Sequence, residues 1–206
     1  MKKLYLLLIT AILILPVSCI KSQMDKTNEL IETHIQKMLV IPESYDPVET
    51  ILDSAYAPYD SPELLALTYK VSQMGIELQN LKDKAKIAKS FMSIWEEDPY
   101  SSSFAQNEYQ ESKAEYEQIV EQQKEVEKRL TKAGEEMKEL LQKEPEFIGY
   151  KATHRYRAKN NAGQVLIGDQ FYIFNKDLTE ILASYDMDSD EYIISQEVIK
   201  QISQIQ

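Results

Sequence analysis

The chain is short of the residues from which most catalytic sites are built. Its 206 residues include one cysteine, Cys19, two histidines, His34 and His154, one tryptophan, Trp95, and five glycines. A lone cysteine forms no internal disulfide. A structural zinc centre draws four ligands from Cys and His, and this chain holds only three such residues, far apart in sequence. Loops that cradle phosphate need several glycines together, and no such cluster occurs. No Gly-x-Ser-x-Gly segment marks a serine nucleophile. Positive charge is also scarce. Lys and Arg number 23 against 34 Asp and Glu, for a net charge of −11. That balance argues against a nucleic-acid partner, which needs a basic footprint. It also argues against general adhesion to an anionic membrane surface. The residues call for no cofactor.

What is present begins with a leader. Lys2 and Lys3 precede an uncharged run from Leu4 to Leu15, followed by Pro16-Val17-Ser18-Cys19. A charged start, a short apolar core and a small residue before the cut make a secretory signal. The run is too short to span a bilayer, which needs about 20 residues. The stretch resembles bacterial lipoprotein signal peptides, in which a cysteine after a small residue is lipidated and becomes the new N-terminus. Their motif places Leu three positions before the cysteine. Here Pro16 stands there and Leu15 one place earlier. The resemblance implies removal of residues 1–18, lipidation of Cys19 and attachment through acyl chains to a membrane of the cell envelope, the outer membrane by expectation. Ile20-Lys21-Ser22-Gln23 carries no acidic cluster, so which face the protein occupies stays open.

Residues 19–206 are expected to form one α+β domain. Met24 to Leu39 predicts a helix, with Leu30, Ile31, His34, Ile35, Met38 and Leu39 on one face and Ile41-Pro42 as the stop. Val48 to Tyr56 predicts a strand. Ser61-Pro62-Glu63 is a helix start, with a cap, a proline at the first helical position and an acid at the positive end of the dipole. From there ten apolar positions recur at 3,4 spacing, from Leu64 through Leu78, Leu81, Ala85 and Ala88 to Trp95. After a Pro- and Ser-containing break, Phe104 to Lys143 repeats the pattern from Tyr109 to Leu140, with Ser112 and Gln123 as polar members. Two matched heptad helices joined by a short loop predict an antiparallel coiled-coil hairpin over residues 61–143, its register fixed by the polar members.

The remainder predicts strands. Ile148 to Ala158 alternates with period 2, the turn Lys159 to Gly163 follows, and Val165 to Phe174 returns. Thr179 to Tyr185 is a further strand, and a helix is expected from Ser195 to Ile205. The whole is a small antiparallel sheet of about four strands with terminal helices and a long inserted helical hairpin. Pro42-Glu43-Ser44-Tyr45 and Tyr156-Arg157-Ala158-Lys159-Asn160-Asn161-Ala162-Gly163 resemble segments of a group of uncharacterised Bacteroidetes lipoproteins. That resemblance implies the class and adds no site.

Three features could carry chemistry. His154 lies on the apolar side of its strand, either as a hydrogen-bonded core histidine or as a general base. Lys151, Arg155, Arg157 and Lys159 line the other side, either paired with acids of a neighbouring helix or open to an anion. Asp186 to Glu197 resembles an EF-hand calcium loop. Asp186, Asp188, Asp190 and Glu197 occupy its acidic positions, but Glu191 stands where glycine makes the turn. The other reading there is a solvated acidic linker. The leading functional expectation is a non-catalytic interaction or scaffold lipoprotein that offers its hairpin to an envelope protein. The alternative is small-ligand or ion binding through the basic strand face or residues 186–197. An enzyme is the least expected, and would need a pocket around His154.

Overall fold

Ser22 opens the fold by capping the first helix. The computed structural model describes residues 21–96 and 102–204. The expected leader and Cys19 lie outside the described residues, as do residues 97–101 between the long helices and residues 205 and 206. Ser22 Oγ accepts from the Asp25 amide at 3.1 Å, and the Asp25 carboxylate accepts from the Ser22 amide at 3.1 Å. Two orphan amides are satisfied at once. Helix α1 runs Gln23–Met38, and a 3-10 turn, Pro42–Ser44, follows.

Strand β1, Asp46–Ala57, is longer at both ends than the alternation predicts. The register shifts between Pro47 and Glu49. Proline donates no ladder bond, and β1 is an edge strand where that loss is tolerated. Helix α2, Pro62–Glu96, starts on Ser61, whose hydroxyl accepts from the Leu64 amide at 3.2 Å. Helix α3 is Ser103–Leu141, capped by Ser102. The two fold back on each other as an antiparallel pair. Leu64, Leu67, Met74, Leu78, Leu81, Ala85 and Ala88 are buried against Ile119, Val126, Ala133 and Leu140. At 35 and 39 residues, each helix is roughly 50–60 Å long.

Strands β2 (Glu146–Lys159), β3 (Val165–Phe174) and β4 (Ile181–Asp186) complete a four-stranded sheet in the order β1-β2-β3-β4, all antiparallel. The hairpin is thus inserted between two strands that pair directly. Gly149 sits at the irregularity beside Ala55 with φ at 144°, and a Cβ there would collide with the Phe174 carbonyl oxygen. Only glycine fits. The α+β class with an inserted helical hairpin holds.

The sheet is covered on both faces. Ala152, Tyr172 and Phe174 pack against Ile31 and Ile35 of α1. Phe171 and Ile173 face Leu65 of α2 and the last helix, α4, Asp190–Ser203. Helix α4 begins five residues before the expected Ser195. Ser189 is the cap, accepting from the Tyr192 amide, and Asp190 and Glu191 fill the first turn. Ser195 is instead buried within the helix, where its hydroxyl donates to the Leu65 carbonyl at 3.0 Å and fastens α4 to the base of the arm.

Candidate functional site

His154 is placed by the alternation of β2, which turns its ring under α1. It is 2% exposed, with both nitrogens engaged. Thr50 Oγ1 gives its one proton to Asn28 Oδ1 at 2.9 Å, so at 2.9 Å it accepts from His154 Nδ1. Nε2 then accepts from the Tyr45 hydroxyl at 3.0 Å. The Tyr156 ring stacks on the imidazole at 5.9 Å. Burial pulls the His154 pKa down, only partly opposed by Asp169, so the ring stays neutral. Burial also pushes Tyr45 up to about 12, so it keeps its proton. His34 lies at the same interface, with Nδ1 3.4 Å from the Tyr172 hydroxyl. In this arrangement His154 has no lone pair to offer a substrate. Its partners are held by folding, and they tie α1 and the 3-10 turn to the sheet.

The four basic residues do share one side of β2, as the alternation predicts. Their acids come from neighbouring strands and a turn rather than from a helix. Arg155 grips Asp169 with two bonds of 2.7 and 3.0 Å, and Arg157 meets Asp46 at 3.3 Å. Each pair is directly opposite in the ladder. Lys151 reaches Asp60, after β1, at 2.7 Å. β2 is an interior strand, so cross-strand carboxylates are nearer than any helix. The Arg155 guanidinium holds the Asp169 carboxyl below the usual range. Lys159 has no carboxylate partner among the described residues. An open depression of about 320 Å³ lies beside Arg155 and Asp169, bordered by Glu49, Thr153, Asp188 and, at its floor, the buried His154.

The acidic segment does not wrap into an ion-binding loop. Asp186 accepts from the Asp188 amide at 2.9 Å, and the backbone enters α4 at Asp190. Glu197 stands in the middle of that helix, where it accepts from Gln201 at 3.1 Å. Helix geometry keeps it away from the turn at Asp186. Among the described residues no group of three or more His, Cys, Asp or Glu side chains converges on a point that could hold a metal ion.

The distal half of the arm carries a feature the heptad pattern does not require. Ile87, Phe91 and Ile94 recur at i, i+4 and i+7 on α2, off the seam, and Phe104 opens α3 beside them. All four are between 56% and 62% exposed. Trp95 meets Phe104 edge to face at 5.9 Å and joins the two helices there. Lys84, Ile87 and Phe91 of α2 and Glu115, Gln118 and Gln122 of α3 border a groove of about 430 Å³. The signal was available in sequence: large apolar residues standing between the seam positions Ala85, Ala88, Met92 and Trp95.

Fold and site together define an α+β domain that carries a long helical hairpin with an apolar distal patch. No family model, no curated protein and no solved structure matches this chain. Among the described residues no helix is long and apolar enough to cross a membrane.

Proposed function

We propose that this protein is an exported lipoprotein, anchored through Cys19 in the cell envelope, whose helical arm is a contact surface for another protein. The observation that carries the reading is the cluster of Ile87, Phe91, Ile94 and Phe104. The seam between α2 and α3 closes without Ile87, Phe91 and Ile94, so the exposure of those three gains the protomer nothing, while Phe104 also meets Trp95. An exposed apolar cluster rimmed by charge is the usual mark of a partner surface. The arm is also not needed to close the sheet, since β1 and β2 pair directly. Ordering some 80 residues carries a large entropic cost that a scaffold alone would have little reason to bear.

The alternative, a ligand site on the basic strand face, has less support, because Lys151, Arg155 and Arg157 already hold carboxylates. The reading is tested by a photoreactive amino acid placed at position 91 of the full chain in cells, with position 127 on the outer side of α3 as control. A discrete protein adduct at 91 and none at 127 is expected. Equal or absent labelling at both positions ends the proposal.

A further inference from the structure

The chain that leads to Cys19 leaves the fold beside an aromatic cluster that α1 does not cover. Gln23, the first residue of α1, donates to the Tyr150 hydroxyl at 2.6 Å. The helix therefore begins level with Tyr150 and covers β2 from there onward, over Ala152 and Tyr156. The sheet continues past that point in the other direction. Leu52, Ser54 and Tyr56 share α1's side of β1 by alternation, with Ser54 opposite Tyr150 and Tyr56 opposite Phe147. The Phe147 ring meets Tyr56 edge to face at 5.9 Å and Tyr150 at 5.5 Å. Tyr56 is 49% exposed, and Phe147 and Tyr150 are half-buried. Met24, 37% exposed, adds an apolar side chain at the start of α1. It stands one turn before Asn28, on the flank that bonds Thr50 of β1 at 2.9 Å, and so on the side of the helix nearest β1.

We infer that this end of the sheet is seated in the headgroup layer of the bilayer that carries Cys19, with Tyr56, Phe147, Tyr150 and Met24 as the seat. This rests on the proposed anchoring and names the surface that the anchored domain turns to the lipid. Chain length decides the occupant. Cys19 precedes Gln23 by four residues, which span at most about 14 Å when fully extended. The interfacial layer on each side of a bilayer is itself about 5–8 Å deep. Lipid interface and aromatic cluster are thus held within one short tether of each other, and a weak affinity acts there at high effective concentration. The chemistry fits that depth. Tyrosine has an apolar ring and a polar tip, and it settles at the level of the headgroups. Phe147 and Met24 supply apolar surface beside it. Charge is not the attraction. Lys21 pairs with Glu29, Lys176 with Glu146, and Lys26 donates to the Asp177 carbonyl, so the lysines of this end are engaged within the fold. With an acidic chain around it, the seat suits zwitterionic lipid and is disfavoured by anionic lipid.

The test couples the full chain without its leader, through its only cysteine, Cys19, to a maleimide-headgroup lipid in phosphatidylcholine vesicles. The chemical tether stands in for lipidation in the cell, so the vesicles report on the seat and not on the anchoring. Two variants carry the reporter, each with Trp95→Phe. One is Tyr56→Trp. The other is Val165→Trp, an exposed position at the opposite end of the sheet, where β3 pairs with Lys159. Phosphatidylcholine with brominated acyl chains quenches only a ring that reaches them. Quenching at position 56 should exceed that at position 165 by at least about threefold, and should fall when half the lipid is phosphatidylglycerol. Met24→Asp places an acid in the first turn of α1, where the helix tolerates it, and should at least halve the quenching at position 56 while melting is unchanged. Equal or absent quenching at the two positions overturns the inference, as does quenching at position 56 that Met24→Asp leaves intact. Either result leaves the anchoring standing. If Cys19 takes up no fatty acid in cells, the anchoring fails and the seat with it, whatever the vesicles show.

Discussion

The side-chain amide of Gln123 on α3 donates a 2.9 Å hydrogen bond to the backbone carbonyl of Leu81 on α2, 42 residues away in sequence. A polar residue at a seam position lowers stability unless its hydrogen bonds are made, and here one is made across the pair. The bond forms only when the helices are in this register, so Gln123 links the heptad pattern to one alignment of the arm.

That link is measurable. Gln123→Ala should cost about 1 kcal/mol in denaturant unfolding, the net worth of a hydrogen bond. Leu81→Asp puts a charge into a seam where Leu81 is 9% exposed, and should cost several kcal/mol. Glu125→Gln, on an exposed position, should change stability by less than about 0.5 kcal/mol. If Leu81→Asp melts with the parent, the seam does not hold the arm.

Two glycines should respond in opposite directions to the same change. Gly134 lies inside α3, and a Cβ added there would meet nothing within 4 Å, so Gly134→Ala gains helix propensity and should stabilise by roughly 0.5–1 kcal/mol. Gly149→Ala meets the Phe174 carbonyl oxygen in a backbone conformation that side chains avoid, and should be strongly destabilising. Thermal melts of the two variants beside the parent decide it, and a shift of the same sign in both would contradict the geometry.

Long regularities were the legible part of this sequence. Ten seam positions on each helix leave few other structures for residues 61–143, and the alternation from Ile148 to Ala158 turns His154 inward without knowledge of its partners. Short-range choices were not legible. Ser189 and Ser195 are both serines followed by acids within three residues, and only burial of Ser195 against Leu65 decides which one caps the helix. The partners of Arg155 and Arg157 depend on strand register, which is set by turns and bulges rather than by the arginines. The exposed stripe at Ile87, Phe91 and Ile94 escaped because a heptad template scores seam positions and passes over the rest.

The proposed anchoring rests on the sequence of residues 1–19 alone and can be tested apart from the fold. Cys19→Ala should abolish incorporation of a fatty-acid analogue and leave an unprocessed precursor or a soluble export product. Equal labelling of parent and variant would show that the lipid is not on Cys19.

The last prediction concerns acid. Both histidines of the chain lie between α1 and the sheet, and burial lowers both from 6.5, with Lys37 adding to the effect at His34. As pH falls through 6.5, the unfolded chain therefore takes up protons before the folded one does. Stability is full above that pH and falls below it, until the lowered folded values are passed. The slope for each histidine is at most about 1.4 kcal/mol per pH unit. Asp25 and Asp169 are lowered from 3.8 by their own partners, so their contributions are lost only in a more acid window. The groups facing the histidines are Lys37 on α1, the Glu49 backbone on β1, Asp169 on β3, and Tyr45, Tyr156 and Tyr172, with Glu32 acting on Tyr45 and Asp186 on Tyr156. None of their carboxylates makes an ion pair with either ring. Protonating His154 at Nε2 would turn its acceptor into a donor facing the Tyr45 hydroxyl, and loosen the link to the 3-10 turn first. Hydrogen exchange at pH 7.5 and pH 5.5, corrected for the intrinsic rate, should show lost protection in α1 and little change along α2 and α3. His154→Gln should flatten the dependence of unfolding free energy on pH between those values. A parent whose stability is flat across that interval would mean that the histidines are not held neutral by the fold.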